Sequence, residues 1–356
     1  MRVLLLARYG RLGASSRMRT YQYLPTLTAS GIRVTEAPLF GDSYVLSLQN
    51  GAIVFSEVVR AYIKRLQAVL TSTRYDLLWI EKEALPWIPA WIEQLVLPGG
   101  VPYVIDYDDA VFHYYDQHRY RAVRAVLANK HLEIIRRAAL VVAGNEYLAD
   151  YARAAGAGQV EVIPTVVDLR RYDLESRRAE NGNEIPTIGW IGQRSTAGFL
   201  GPLVPLFERL LRDGTARIVA IGINAESLGL PMRSVGWAEE TEAQSLSTVD
   251  IGIMPLVDGP FERGKCGYKL IQYMASGIPV VASPVGVNSQ IVEHGINGFL
   301  ATTVEKWEQA LRALLEDASL RKRMGAAGRA KVEREYCIQV TAPKLVQLLW
   351  ATGKST

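Results

Sequence analysis

Cysteine is scarce in this chain: Cys266 and Cys337 are the only two in 356 residues. Two thiols give neither a disulfide framework nor zinc-ligand spacing, and they suit a reducing cytosol. Charge of one sign is lacking too. The 40 basic and 36 acidic residues leave a formal charge of +4, too balanced to argue for nucleic acid as a partner. No uninterrupted apolar run is long enough to span a bilayer. The opening MRVLLLARYG could pass for the start of a signal peptide, but Arg8 interrupts its apolar core, and it reads as a buried first strand. The expected location is therefore the cytoplasm, with any contact to the inner membrane face peripheral. Fixed-period repeats and low-complexity tracts are absent as well.

What is present describes a folded protein, with 49% hydrophobic and 21% charged residues and enough length for two domains. Apolar runs of strand length at 3–7, 77–80, 103–105, 140–143 and 160–164 alternate with stretches of helical period. A polar segment without periodicity, RRYDLESRRAENGNEIP, follows at 170–186 and reads as a linker. The rhythm resumes with strands at 187–192, 216–222, 251–255 and 280–283. Two successive β/α series predict an α/β protein with two Rossmann-like, doubly wound parallel sheets. Ligands of such sheets bind beyond the carboxyl ends of the strands, so the expected site is a cleft between the domains.

Residues 249–301 are the most informative. An apolar run ending at Pro255 leads into a polar loop with Glu262, Lys265 and Gly267, then a helical stretch, then a second apolar run entered through Gly277 and Pro279. Gly264 and Gly267 let backbone approach a ligand closely, the helix start supplies unpaired N–H groups, and Lys265 and Lys269 add positive charge. Together they make a cradle for a diphosphate. The segment resembles the donor-binding signature of retaining GT-B glycosyltransferases of family 4, whose common form runs E-x-F-G-x-x-x-x-E-A-M-A-x-G-x-P-V-[IV]-A. Gly267, Met274, Ala275, Gly277, Pro279, Val280 and Ala282 fall on it. VIPTVVDLRRY at 162–172 and GNEYLADYA at 144–152 are similar to two further stretches of that family, and the resemblance covers nearly the whole chain.

The resemblance implies a GT-B fold with two domains facing across a cleft. The first is 1–170 with the final helix, 338–356, crossing back onto it, 171–186 is the linker, and 187–337 is the donor domain. It also implies that Lys265 and Glu262, with Asp108 and Asp109 of the first domain, are the catalytic residues, and that Gly267, Tyr268, Lys269 and Gln272 bind the donor. The chain departs from the pattern at both glutamates, which align with Gly264 and Gln272. Gln272 can still bond ribose hydroxyls, though without charge. Glu262, two residues from the vacant position, is assigned to the donor sugar. The same loop nearly matches a P-loop, but Cys266 stands where a magnesium-holding hydroxyl is required.

Three other clusters bear on chemistry. TIGWIGQRSTAGFL at 187–200 ends a strand at Gly192 and turns Arg194, Ser195 and Thr196 toward the donor phosphates in the resembled fold; Ser195 and Thr196 could equally cap a helix. Asp106, Asp108 and Asp109 in PYVIDYDDAVFH crowd three carboxylates past a strand, and their repulsion calls for a cation, a basic neighbour or a sugar hydroxyl. The family often has a His-Asp pair here, and Asp108 takes the place of the His, beside Asp109. The alternative is a turn with capping aspartates. The D-x-D spelling is also a metal motif of the other glycosyltransferase fold, but the donor signature lies in the other half of the chain, so no metal is expected. A lone His113 reads as structural. At 9–24, Gly13 and Arg17 sit at a helix start that suits anions and are expected to close over the donor, while Trp237 stands where the family packs the nucleotide base, although a lone Trp is usually core. Finally, Arg119, Arg121, Arg124, Lys130, Arg136 and Arg137 read either as a solvated helical face or as a peripheral contact for an anionic membrane or a lipid-diphosphate acceptor.

The resemblance implies transfer of a sugar from a nucleotide-diphosphate donor to a hydroxyl acceptor with retention, in glycan, polysaccharide or glycolipid assembly, with no cofactor beyond the nucleotide sugar itself. A nucleotide-sugar isomerase or epimerase of the same fold and a non-catalytic nucleotide-sugar binder are the alternatives. The donor base, the sugar, the acceptor and the oligomeric state are not legible.

Overall fold

A computed structural model describes residues 1–49, 55–172 and 185–353; most of the expected linker, 173–184, lies outside the described residues. The chain divides into two compact units. The first holds Met1–Thr165, Arg263–Cys266 and Thr341–Thr356, and the second holds Val166–Glu262 and Gly267–Val340.

In the first unit the strands are β1 (Arg2–Leu6), β2 (Arg33–Glu36), β3 (Leu77–Glu81), β4 (Tyr103–Tyr107), β5 (Leu140–Ala143) and β6 (Val160–Val162). They form one parallel sheet in the order β2-β1-β3-β4-β5-β6. Val3–Leu6, Leu77–Ile80 and Leu140–Ala143 are buried along their whole length, as expected of strands covered on both faces. In the second unit β7 (Thr187–Ile191), β8 (Arg217–Ile221), β9 (Arg233–Val235), β10 (Ile251–Met254), β11 (Val280–Ala282) and β12 (Gly298–Leu300) are again all parallel, ordered β12-β11-β10-β7-β8-β9. Alternate side chains feed two separate core layers. Ile188, Trp190, Ile218, Ile251, Ile253 and Val281 enter one, while Ile191, Val219, Ile221, Met254, Val280 and Ala282 enter the other. That is the period of two expected for strands.

The sequence reading anticipated the parallel α/β architecture and missed β2, β9 and β12. All three are short edge strands; Arg33–Glu36 has the pattern exposed, half-buried, exposed, exposed, so no apolar run marks it. Each sheet reverses its winding once, between β1 and β3 in the first unit and between β7 and β10 in the second, and ligand sites of such sheets lie at these reversals.

Glycines set how closely the second unit's layers pack. The Tyr273 ring lies on Gly252 of β10, where a Cβ would come within 2.3 Å of it, and its hydroxyl accepts from Ile191 N at 2.9 Å. The helix Ala318–Glu335 packs on the helix Tyr268–Ala275, and a Cβ on Gly325 would lie 2.0 Å from Gly277 O. Such contact is possible only for a residue without a side chain.

Candidate active site

At the winding reversal of the second unit, β7 delivers Gly192 and the turn after it, and β10 leads through a loop to the helix Tyr268–Ala275. Gly267 caps that helix with φ +64°, a left-handed conformation that glycine adopts without strain. A Cβ there would also meet Ile291 at 2.4 Å. Lys269 extends across the Trp190 ring, its Nζ 4.1 Å from the centroid, and donates to Thr196 Oγ1 at 3.3 Å. A Cβ on Gly192 would lie 2.6 Å from Lys269 Nζ, so that glycine leaves the ammonium its place. Thr196 in turn bonds Gln193 O at 3.0 Å, while Arg194 and Ser195 are exposed at the head of a 3-10 helix. Gly192, Thr196 and Lys269 thus adjoin one another near the start of the helix that Gly267 caps.

Gln272 and Trp237 take part in a different, interior chain of contacts. Gln272 is 2% exposed and its Nε2 reaches Tyr172 Oη at 3.5 Å. The Tyr172 hydroxyl donates to Glu242 at 3.0 Å, and Trp237 Nε1 donates to the other oxygen of the same carboxylate at 2.8 Å. In this conformation the amide at the family's glutamate position faces the interior of its unit. Tyr268 is half-buried beside this core layer, and Glu262 lies on the short helix Pro260–Arg263, where its Oε2 fills the space a Cβ on Gly259 would take.

The first unit gathers charge at its own reversal point. Arg19 is buried against Asp106, with Nε at 2.7 Å and Nη2 at 3.1 Å, and donates to Ile163 O at 2.7 Å. Burial pushes the Asp106 carboxyl up to about 6, a rise that Arg19 only partly offsets. Lys82, directly after β3, holds φ +63°, a strained state for a residue with a side chain. Its Nζ lies 2.8 Å from Asp108 Oδ1, 3.9 Å from Glu81 and 4.0 Å from Asp109, and bonds Ser15 Oγ at 2.9 Å. Burial alone would discharge this ammonium; the Asp108, Asp109 and Glu81 carboxylates outweigh it and keep Lys82 protonated.

Burial also opposes charge on Asp108, but Lys82 and a hydrogen bond from Ser15 hold that carboxyl below its ordinary range. Asp109 is raised instead, by burial and by the charge of Asp108, against the pull of Lys82 and Lys265. Neighbouring carboxylates driven apart in this way take up different protonation roles. Asp109 keeps 30% of its side chain open, compared with 10% for Asp108. The three aspartates therefore have basic neighbours, one of the three partners their crowding called for. Among the described residues no group of three His, Cys, Asp or Glu is arranged to hold a metal ion.

The two lysines of the donor loop part company. Lys269 belongs to the second unit, while Lys265 belongs to the first, where its Nζ stands 4.0 Å from Asp109 Oδ1. Asn145 fastens this stretch, donating to Gly264 O at 2.9 Å and Lys265 O at 3.1 Å while its Oδ1 caps the helix Glu146–Ala154. Cys266 is buried, donates to Asp108 O at 3.0 Å, and burial lifts its thiol to about 12, so it is inert. Gly13 caps the helix Ala14–Arg19 and presses on Tyr9, where a Cβ would come within 2.4 Å. Arg17 is buried and donates to Arg11 O at 3.1 Å. His113 is held between Asp116, 3.0 Å away, and the Tyr147 hydroxyl, 2.9 Å away, the structural role its isolation suggested.

One reading of the basic stretch needs correction. Lys130 does not join a solvated face: its fully buried ammonium pairs with Glu83 at 2.7 Å and Glu93 at 3.1 Å. Arg119, Arg121, Arg136 and Arg137 remain exposed. Lys82, Glu81 and Glu83 were missed altogether, although the spelling WIEKE, a charged triplet abutting a buried strand, was the available signal.

Two six-stranded parallel sheets of this winding define a GT-B type protein. Residues 2–166 match the family model described as a glycosyl transferase 4-like domain, and 198–317 match glycosyl transferases group 1. Together these span most of the chain, which belongs to the group 1 glycosyl transferases. It is 28% identical over 189 residues to the D-inositol 3-phosphate glycosyltransferase of Nocardia farcinica, covering 47% of this chain and 42% of that one. It is 29% identical over 203 residues to the sulfoquinovosyl transferase SQD2 of Arabidopsis thaliana, covering 51% and 38%. The matched stretch thus spans under half the length of these curated relatives. Among solved structures, sucrose-phosphate synthase from Thermosynechococcus elongatus superposes with a TM-score of 0.73 at 18% identity, over 98% of both chains. Anabaena Alr3699/HepE in complex with UDP-glucose follows at 0.71 and 18%, over 99% of both.

Proposed function

We propose that this chain moves a sugar from a nucleoside-diphosphate donor to a hydroxyl acceptor, with retention at the anomeric carbon. The observation that carries the reading is the meeting of Lys269, Thr196, Gly192 and the Gly267-capped helix start at the winding reversal of the second unit. Helix N–H groups and a fixed ammonium suit a diphosphate, and they favour the transition state, in which the leaving phosphate gains negative charge. The family membership, the sugar-transferring relatives and the UDP-glucose held by the HepE neighbour support the same reading.

In the proposed reaction the bond between the anomeric carbon and the phosphate oxygen breaks, and the electron pair leaves with the diphosphate. The acceptor oxygen attacks the same face, and its proton passes to the departing phosphate oxygen. The second unit supplies the donor contacts, with Arg194 and Ser195 beside Lys269. On the acceptor side, Asp109 accepts a hydrogen bond from a neighbouring hydroxyl of the acceptor and so orients the attacking one, whose proton stays free for the phosphate, and Lys82 and Lys265 hold Asp108 and Asp109 in place. Arg19, Lys82 and Lys265 serve as counter-charges of the three aspartates, so the reading routes no step through a metal. Gly13, Arg17, Tyr268, Trp237, Gln272 and Glu262 are assigned to shaping the donor pocket rather than to the chemistry.

A thermal-shift panel of UDP, GDP and ADP tests the donor half. One base should raise Tm in a concentration-dependent way by mass action, and Lys269→Ala should shift that rise to about 10- to 100-fold higher nucleotide concentration. If none of the three stabilises the protein, the reading fails. Retention is then tested by the anomeric configuration of the product in NMR.

A further inference from the structure

The helix Phe55–Leu70 has two apolar sides. One faces inward, where Val69 and Arg65 are buried. The Arg65 guanidinium donates to Ala84 O at 3.0 Å and Ala37 O at 3.0 Å, and Tyr62 donates to Pro86 O at 2.7 Å. These bonds pin the helix by its inner side, so the side that flanks it cannot simply roll under. That flanking side carries Phe55, Val59, Ile63, Leu66 and Leu70, spaced four, four, three and four residues apart, a continuous stripe on one helical face. All five are exposed, Phe55 at 78%, Ile63 at 53% and Leu70 at 58%. The neighbouring helix Ala90–Val96 packs against it and adds Trp91 at 64% and Leu95 at 78%, one turn apart. Exposed apolar residues gathered to this degree mark an interaction surface rather than ordinary scatter.

The charge on this face selects its partner. The remaining exposed residues of the helix Phe55–Leu70 are Ser56, Arg60, Lys64 and Gln67, giving two cations and no carboxylate. Joining the face to its own copy would bring like charges together, whereas an anionic lipid surface matches both the stripe and the cations. We propose that the stripe, with Trp91 and Leu95, is a peripheral docking surface of the first unit for anionic lipid bilayers. The apolar residues enter the boundary between headgroups and chains, and Arg60 and Lys64 meet the phosphates. This is a different surface from the exposed arginines around 119–137. It stands independently of the sugar-transfer reading.

Sedimentation of the full chain with sucrose-loaded vesicles tests it, using phosphatidylcholine alone and phosphatidylcholine mixed with phosphatidylglycerol. The expected result is pelleting with the anionic vesicles roughly tenfold or more above the neutral ones, weakened by salt. Ile63→Glu combined with Leu70→Glu should return binding to the neutral level, and Arg60→Ser combined with Lys64→Ser should remove the preference for anionic lipid. All four positions are exposed, and an unchanged Tm for each variant shows that folding is intact. The proposal is overturned if neither vesicle pellets the protein, or if the glutamate variant binds as wild type does. It is equally overturned if sedimentation equilibrium finds a dimer that the glutamate variant dissolves while vesicles stay unbound.

Discussion

Lys82 Nζ and Asp108 Oδ1 lie 2.8 Å apart, with only 6% and 10% of their side chains exposed, and the lysine adopts a left-handed backbone to make that contact. Lys82→Met would leave Asp108 buried without its main counter-charge. The expected cost is about 3–5 kcal/mol of unfolding free energy, read by denaturant titration. Loss of the ammonium also raises the pKa of both Asp108 and Asp109, so the acidic limb of the rate profile should move to higher pH. A variant as stable as wild type with an unmoved limb would show that the pair does not matter.

Lys269 has a different role. It is half-buried across Trp190 rather than sealed in an ion pair, so Lys269→Ala should leave Tm nearly unchanged. Affinity for the matching nucleoside diphosphate should fall about 10- to 100-fold, the usual range for one charge-assisted hydrogen bond. Isothermal titration calorimetry on both proteins reads the difference.

Gly325→Ala provides a packing test far from any charge. Its Cβ would fall 2.0 Å from Gly277 O, a backbone atom that cannot swing aside. Separation of the helices Tyr268–Ala275 and Ala318–Glu335 should cost on the order of 3 kcal/mol, and thermal unfolding would reveal it.

His131 makes stability depend on pH. It is buried, shares a 2.7 Å hydrogen bond with the Tyr107 hydroxyl, and burial lowers its pKa from 6.5 to about 4. Between those values the unfolded chain binds the extra proton, so the contribution is full above pH 6.5 and is lost as pH falls toward 4. Its size is about 3 kcal/mol. Asp106, with its raised pKa, acts in the opposite sense, but it is common to wild type and His131→Gln, and the difference between their stability–pH curves isolates the histidine. Parallel curves would remove His131 from the titration.

The parallel sheets could be read from the chain because strands covered on both faces must be apolar without interruption, as Leu140–Ala143 is. Exposed edge strands escape that rule, as Arg33–Glu36 and Arg233–Val235 do, whereas the half-buried edge strand β6 still left its apolar run at 160–164. At the candidate site the backbone features were legible: Gly192, Gly267 and the lysine two residues later are spelled locally. Side-chain pairing was not. Lys82 reaches Asp108 across 26 positions, and Lys265 meets Asp109 across 156; no periodicity records such distances. Gln272 shows the opposite limit, where a motif position was recognised while its amide turned inward to Tyr172.

Gly264 occupies the place of the family's first glutamate and lies flush against Ala110, where a Cβ would meet the alanine's own Cβ at 2.5 Å and its nitrogen at 2.9 Å. Asn145 clasps the carbonyl of that same glycine. Gly264→Glu would therefore collide with the main chain of Ala110, and any side chain at this position demands that the turn beneath it first be reshaped.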